Sequence, residues 1–377
     1  MMEFLTLKPE IFGLDISDLS LKIIKLKKRG KNLVLASFLE EKIEPGIIKG
    51  GEIRDEKKLS EIIKTAVKKV EGEKLKTNYV AVSLPEEKAY LEVIQMPKVP
   101  EEDLKSAVIY EAENYIPLPL ENLYLDFQII PPVINHLDHL DILIAALPKK
   151  TVNPYLSSLK LAGLQPLVFE IESQAIARCL IKNETTTSPQ LLIDLGATRT
   201  SFIIFSGHSL RFTSSIPVSS SNFTEIISKN LRVSLAEAEK LKLKYGLEEK
   251  IKIKIKNGLV IKGEKGEIFE ALIPALVDLI QQIKRYLDYY QTHASHEHLP
   301  PNGRGVSKIL LCGGGANLKG LPDLLSLELN LPVELGNPWI NILPEEQTAV
   351  AELSSSESLK YATALGLALR GIKENTQ

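Results

Sequence analysis

Phe12-Gly13-Leu14-Asp15-Ile16-Ser17-Asp18-Leu19-Ser20 reads as an apolar strand that ends in acid and runs into short polar residues. Short residues after a strand permit a tight turn whose backbone N–H groups converge on an anion. Asp15 would repel bare phosphate, so its useful chemistry is to hold a hydrated Mg²⁺ that neutralises phosphate charge. Ser17 and Ser20 can add hydroxyl contacts. Lys22 either reaches phosphate or sits on the exposed face of a hairpin whose return strand is Ser20 to Lys27. Taken alone, this stretch is better explained as a surface hairpin.

The same arrangement recurs. Gln190 to Leu195 is an apolar strand that delivers Asp194, and Gly196-Ala197-Thr198-Arg199-Thr200 follows it. Gly196 permits close approach, Thr198 and Thr200 supply hydroxyls, and Asp194 offers a second carboxylate for a metal. Near the end of the chain, Gly313-Gly314-Gly315-Ala316-Asn317 follows the strand Lys308 to Cys312. Its glycines let backbone approach a flat or phosphorylated ligand, and Asn317 can cap the next helix.

Strands are expected at Leu33 to Glu41, Tyr79 to Leu84, Ala89 to Met96, Leu123 to Ile130, Asp141 to Leu147 and Pro166 to Glu170, and a return strand at Ser201 to Phe205. Helices are expected at Glu56 to Val70, Glu101 to Tyr115, Lys150 to Ala162, Ser173 to Ile181, Phe223 to Leu231, Leu235 to Tyr245, Ile268 to Tyr290, Leu321 to Leu329 and Leu359 to Arg370. Prolines from Pro97 to Pro132 punctuate the stretch from Ala89 to Leu147, whose strand-helix-strand-strand order suits a small sheet covered by one helix. The polar run Lys182 to Pro189 marks a boundary, and Lys250 to Ile255 alternates like an edge strand.

With 377 residues the chain exceeds one ordinary hydrophobic core, so two principal domains are expected. The net charge of -2 exerts no global pull toward nucleic acid or anionic membrane. No apolar stretch is long enough to span a bilayer, no signal-peptide core opens the sequence, and Leu369 to Gln377 is too short and charged for an amphipathic anchor. Cys179 and Cys312 have no Cys-x-x-Cys partners and read as buried thiols of a reducing, cytoplasmic compartment. P-loop, Gly-x-Gly-x-x-Gly and Gly-x-Ser-x-Gly motifs are missing where they would be needed. His136 and His139, and likewise His293, His296 and His298, fall in polar segments and read as surface residues rather than metal ligands. Lys250, Lys252, Lys254 and Lys256 read as a solvated face, and Tyr286, Tyr289 and Tyr290 as packing residues.

Taken together these motifs resemble the actin-like ATPase superfamily, and within it the PilM family of type IV pilus assembly proteins, relatives of FtsA. The resemblance rests on GLDISDLSLKIIKL at Gly13 to Leu26, LPEEKAYLEVIQMPKV at Leu84 to Val99, AVIYEAENYIPLPLENLYLDF at Ala107 to Phe127, LLIDLGATRTSFIIF at Leu191 to Phe205 and ILLCGGGANLKGLPDLL at Ile309 to Leu325. It implies an α/β, actin-like two-lobed nucleotide-binding fold with an inserted small α+β subdomain. Residues 1–84, 148–189 and 352–377 would form the first lobe, 85–147 the inserted peptide-binding subdomain, 190–222 with 306–351 the second lobe, and 223–305 its peripheral part.

By the same resemblance ATP lies between the lobes, with Asp15 and Asp194 serving Mg²⁺. Ser17, Ser20, Lys22, Gly196, Thr198 and Thr200 surround phosphate, Gly314, Gly315 and Asn317 approach the nucleoside, and Glu237 and Lys240 contact base or ribose. Glu172 and Gln174 fall near the region that positions the attacking water. Actin-like first loops usually carry glycine where Ser17 stands, so binding is expected rather than rapid turnover. The implied partner is the N-terminal cytoplasmic peptide of the inner-membrane protein PilN, held in a groove between the first lobe and the insert, with self-association and other pilus components open. A phosphotransferase of the wider sugar-kinase group, which needs a small-molecule acceptor and a general base, and an FtsA-like filament-forming membrane adaptor are the alternatives.

Overall fold

The computed structural model describes residues 9–30, 32–133, 138–247, 252–256, 259–263, 267–293, 305–344 and 349–374. Two compact units make up the chain: Met1–Thr185 with His208–Arg211 and Asn337–Gln377, and Thr186–Gly207 with Phe212–Gly336. The first unit opens with β1 (Phe12–Ile16), β2 (Ser20–Arg29) and β3 (Asn32–Lys42), followed by the two-residue strands β4 (Ile48–Lys49) and β5 (Glu52–Ile53). Then come α1 (Glu56–Lys69), β6 (Glu71–Gly72) and β7 (Tyr79–Leu84). Every residue of β1 is buried, the pattern of a strand covered on both faces. Helix α1 starts where the Asp55 carboxylate accepts the Lys58 N–H at 3.0 Å, and it buries Leu59, Ile63 and Ala66 at helical spacing.

An inserted antiparallel sheet follows, built from β8 (Tyr90–Pro97), α2 (Glu101–Ala112), β9 (Leu123–Ile130) and β10 (His139–Pro148) in the order β8-β10-β9. Leu104, Val108 and Ala112 of α2 close over Ile94, Met96, Ile142 and Ile144. The helix stops at Ala112 rather than Tyr115, because Pro117 disfavours helical backbone at Ile116 and the last residues fold into a turn instead. The main sheet resumes with α3 (Lys149–Leu161), β11 (Gln165–Ile171) and α4 (Glu172–Leu180). Its order is β11-β7-β1-β2-β3-β6, with β1 parallel to β7 and antiparallel to β2.

The second unit repeats the plan with β12 (Gln190–Leu195), β13 (Thr200–Ser206) and β14 (Ser209–Ile216). Next come α5 (Ser220–Leu231), α6 (Leu235–Tyr245), the hairpin β15 (Lys252–Lys256) and β16 (Leu259–Gly263), and α7 (Glu267–His293). The unit closes with β17 (Lys308–Cys312), α8 (Leu321–Leu329) and β18 (Val333–Leu335), giving a sheet of order β14-β13-β12-β17-β18. The sequence pattern discloses neither β14 nor β16.

After β18 the chain rejoins the first unit at Asn337, earlier than the boundary at 352 expected from sequence. Trp339 is fully buried there, and the Asn341 side-chain amide donates to the Arg178 and Ile181 carbonyls at 2.9 and 2.7 Å. These contacts satisfy carbonyls at the end of α4, which would otherwise lack partners. The last elements are α9 (Ser355–Ser358), capped by Ser354, and α10 (Ala362–Glu374). Two glycines let α10 lie close: a Cβ on Gly366 would sit 1.9 Å from the Ala175 carbonyl oxygen of α4, and one on Gly13 of β1 would sit 2.4 Å from the Ala364 carbonyl oxygen.

Candidate functional site

In the first unit Asp15 is 5% exposed and pairs across the hairpin with Lys22. Lys22 Nζ lies 3.4 Å from Asp15 Oδ2, and the Ser83 hydroxyl of β7 donates to Asp15 Oδ1 at 2.9 Å while accepting the Ile16 N–H at 3.0 Å. A carboxylate this buried requires such partners. Lys22 is itself buried, which removes the reading of it as an exposed hairpin lysine. At the turn, both the N–H and the hydroxyl of Ser17 donate to the Ser20 carbonyl at 2.9 Å, and Lys22 Nζ donates to Ser20 Oγ at 3.1 Å. Asp15, Ser17, Ser20 and Lys22 are therefore one connected cluster.

Glu172 opens α4 and is half-buried, as is Gln174. The Glu86 N–H donates to Glu172 Oε2 over a long 3.4 Å, and Glu86 Oε2 in return accepts the Ser173 N–H at 3.2 Å. Glu86 thus meets a free N–H at the start of a helix, where a carboxylate is favoured.

The second unit holds its aspartate differently. Asp194 is half-buried, opposite Ser201 on β13 and Cys312 on β17. Gly313 has φ of +81°, and a Cβ there would sit 2.2 Å from Asp194 Oδ1 and 2.6 Å from the Leu195 carbonyl oxygen. A Cβ on Gly315 would meet Leu195 Cγ at 2.6 Å. These two glycines make room for the end of β12, and Gly314 is the exposed member of the run. Asn317 does not cap α8: it closes a 3-10 turn over Gly314–Asn317, and Gly320 occupies the cap position with φ of +77°.

The turn after Asp194 is tied to α5. Gly196 N–H donates to the Arg199 carbonyl at 2.9 Å, and the Ser220 and Ser221 N–H groups donate to the Gly196 and Ala197 carbonyls at 3.0 and 3.1 Å. Thr198 is half-buried in this turn. Thr200 is fully buried and its hydroxyl donates to the Val218 carbonyl at 2.7 Å, so it serves the strand rather than a ligand surface.

On α6, Lys240 is exposed and Glu237 half-buried. The charged pair that the fold gathers instead is Glu239 and Lys242. Lys242 is 4% exposed, and its Nζ donates to Ser220 Oγ at 2.8 Å, to Thr224 Oγ1 at 2.7 Å and to the Ser220 carbonyl at 2.9 Å, with Glu239 Oε2 at 2.8 Å. Burial pulls its pKa below the ordinary lysine value, and Glu239 opposes that pull. The signal for it is positional: Ala238, Leu241 and Lys242 share the buried stripe of α6.

Among the described residues no group of three or more His, Cys, Asp or Glu residues is placed to hold a metal. Mg²⁺ ordinarily takes one or two carboxylates and completes its shell with phosphate oxygens and water, so the carboxylate of Asp15 or of Asp194 is of the right donor type for it. The Gly313 backbone against Asp194 and the Ser83 and Lys22 contacts to Asp15 leave both carboxylates fixed in place. His136, His296, His298 and Lys250 lie outside the described residues. His139 contacts Asp138 and Asp141, and His293 stacks on Tyr289. Cys179 and Cys312 are buried thiols. Among the described residues no helix is long and apolar enough to cross a membrane.

Residues 13–372 match the family described as type IV pilus assembly protein PilM. The solved PilM-PilN type IV pilus biogenesis complex is similar at 27% identity and a TM-score of 0.76, over 96% of this chain and 98% of that one. MreB 5 of Spiroplasma citri bound to AMPPNP shares the fold at 15% identity and a TM-score of 0.57, over 98% and 99% of the two chains. Cell division protein FtsA of Buchnera aphidicola is 24% identical over 48% of this chain and 44% of the relative, and FtsA of Helicobacter pylori 26% identical over 53% and 40%. Less than half the length of those FtsA relatives is matched. The fold is α/β and actin-like, with an extra small subdomain.

Proposed function

Because the chain belongs to the PilM family of type IV pilus assembly proteins, we propose that it is an ATP-binding scaffold that works at the cytoplasmic face of the inner membrane and captures the N-terminal cytoplasmic peptide of PilN. The observation that carries the nucleotide reading is the repeated strand plan, each copy of which ends its central strand in a held aspartate, Asp15 or Asp194. The similar MreB 5 is a protein with AMPPNP bound, which supports the same chemistry. Asp15 and Asp194 are the metal-side carboxylates. Ser17, Ser20, Lys22, Gly196 and Thr198 are the phosphate-side groups, and Gly314, Gly315 and Asn317 the nucleoside-side backbone. Bound Mg²⁺ supplies neutralisation of phosphate charge. Lys22 orients one oxygen of the buried Asp15 carboxylate, and Ser83 fixes the other.

The partner reading is supported by the PilM-PilN complex among similar structures and by apolar side chains left uncovered on the inserted subdomain. Tyr110 is 71% exposed, and Ile109, Tyr115, Tyr124 and Ile129 are also exposed. Exposed apolar side chains are the kind of surface a protein partner covers. Calorimetric titration of Mg·ATP into the wild type and into Asp15→Asn and Asp194→Asn tests the first half. Affinity should fall about 100-fold in each variant, a loss of the order expected when a carboxylate that serves a bound metal is neutralised, and wild-type affinity in both folded variants refutes it. Anisotropy of a labelled PilN peptide tests the second half, with Tyr110→Ser expected to weaken binding and an unchanged affinity counting against that face.

A further inference from the structure

We propose that the Gly50–Gly51 bend is a tie between the turn after β1 and the root of the inserted sheet, through which nucleotide at Asp15 to Lys22 alters the inserted subdomain. This rests on the nucleotide reading above. Asp18, to which the sequence reading assigned no role, lies in that turn beside Ser17. Its two carboxylate oxygens accept the Gly50 and Gly51 N–H groups at 2.8 and 2.9 Å. Both glycines are left-handed, with φ of +58° and +70°, which lets consecutive N–H groups face one carboxylate. Paired bonds to an ionised acceptor are stronger and more directional than neutral ones.

On its other side the bend rests against the insert's root. A Cβ on Gly51 would lie 2.5 Å from both Glu87 Oε1 and Pro85 Cβ, so the Gly51 backbone lies directly against the Pro85 and Glu87 side chains. Lys88 Nζ binds Glu52 Oε1 at 3.0 Å, and the buried Tyr155 hydroxyl donates to the Gly51 carbonyl at 3.1 Å. Residues 85–88 lead directly into β8, and Glu86 is held to the start of α4 by its exchange with Glu172 and Ser173. Displacement of the β1–β2 turn by a bound phosphate is thus transmitted through Asp18 to Gly50–Gly51, and from there to the segment on which the inserted sheet hangs. Coupling requires that both ends be biased by one bistable element, and the bend is the element placed to do so.

Amide exchange on the full chain, with and without saturating Mg·ATP and with occupancy measured in parallel, tests the tie. In the wild type, nucleotide should slow exchange at residues 13–22, 47–53 and 86–97, the last by about tenfold, within the usual range of coupling strengths. Asp18→Ala should keep the change at 13–22 and lose that at 86–97. Tyr155→Phe removes one hydroxyl and should reduce the change at 86–97, which keeps the test open if Asp18→Ala fails to fold. A full wild-type response at 86–97 in the folded variants overturns the tie, as does bound ATP without any response there in the wild type. Failure of the wild type to bind ATP at all overturns the nucleotide reading, and the tie with it.

Discussion

Strand for strand the two sheets follow one plan, β11-β7-β1-β2-β3 in the first unit and β18-β17-β12-β13-β14 in the second, yet each holds its aspartate by different means. Asp15 is buried against an ammonium and a hydroxyl. Asp194 is half-buried and pressed against a glycine backbone. A duplicated topology therefore fixes where a carboxylate stands but not what it costs to remove. In the first unit the cost falls on stability, because a buried partner charge is left behind. In the second it falls on the space that Gly313 keeps open.

Asp15→Ala offers the largest contrast. It strands buried Lys22, and losing one member of a buried pair costs about 3–5 kcal/mol, to be read from denaturant unfolding followed by the fluorescence of Trp339, the single tryptophan. Asp194→Ala should leave that signal unchanged, and equal losses in both variants would break the comparison. Gly313→Ala should cost about 3 kcal/mol or more through overpacking at a left-handed position, seen as faster amide exchange at residues 190–195 and 308–312. Lys242→Met should cost about 1–3 kcal/mol, since Ser220 and Thr224 lose a charged donor.

The lysine also has a pH signature. Its folded pKa lies below 10.5, so between that folded value and 10.5 the unfolded chain holds more protons and the second unit gains stability as pH rises. Lys242→Met should remove that slope in a pH series of unfolding midpoints. The smallest effect is that of Thr200→Val, about 1 kcal/mol for one buried hydrogen bond, with Mg·ATP affinity unchanged. A loss of affinity in that variant would restore Thr200 to the phosphate-side set.

Much of this architecture was legible because its strands are short apolar runs and its helices carry clean stripes. The sequence pattern places α6, α8, β12 and β17 at the bounds observed. Ser209 to Ile216 escaped because its middle is polar and half-exposed, as an outer strand allows. Asn317 falls short of the helix cap expected of it because three glycines permit a 3-10 turn before any helix begins. Lys242 is hard to single out because Leu241-Lys242-Leu243-Lys244 resembles a wet helix face, although its spacing from Ala238 puts it on the dry one. Asp18 left no signal, since its partners Gly50 and Gly51 are distant in sequence and contribute only backbone.

The packing of α10 against β1 and α4 has a consequence for the order in which the molecule is made. The second unit is almost one continuous stretch, while the first waits for the helix that rests on Gly13 and Ala175. On a translating ribosome, residues 186–336 emerge ahead of Ala362–Glu374 and can begin to close their sheet first. The half of the protein that begins first is therefore finished last, and until then β1 waits without the helix that lies against Gly13.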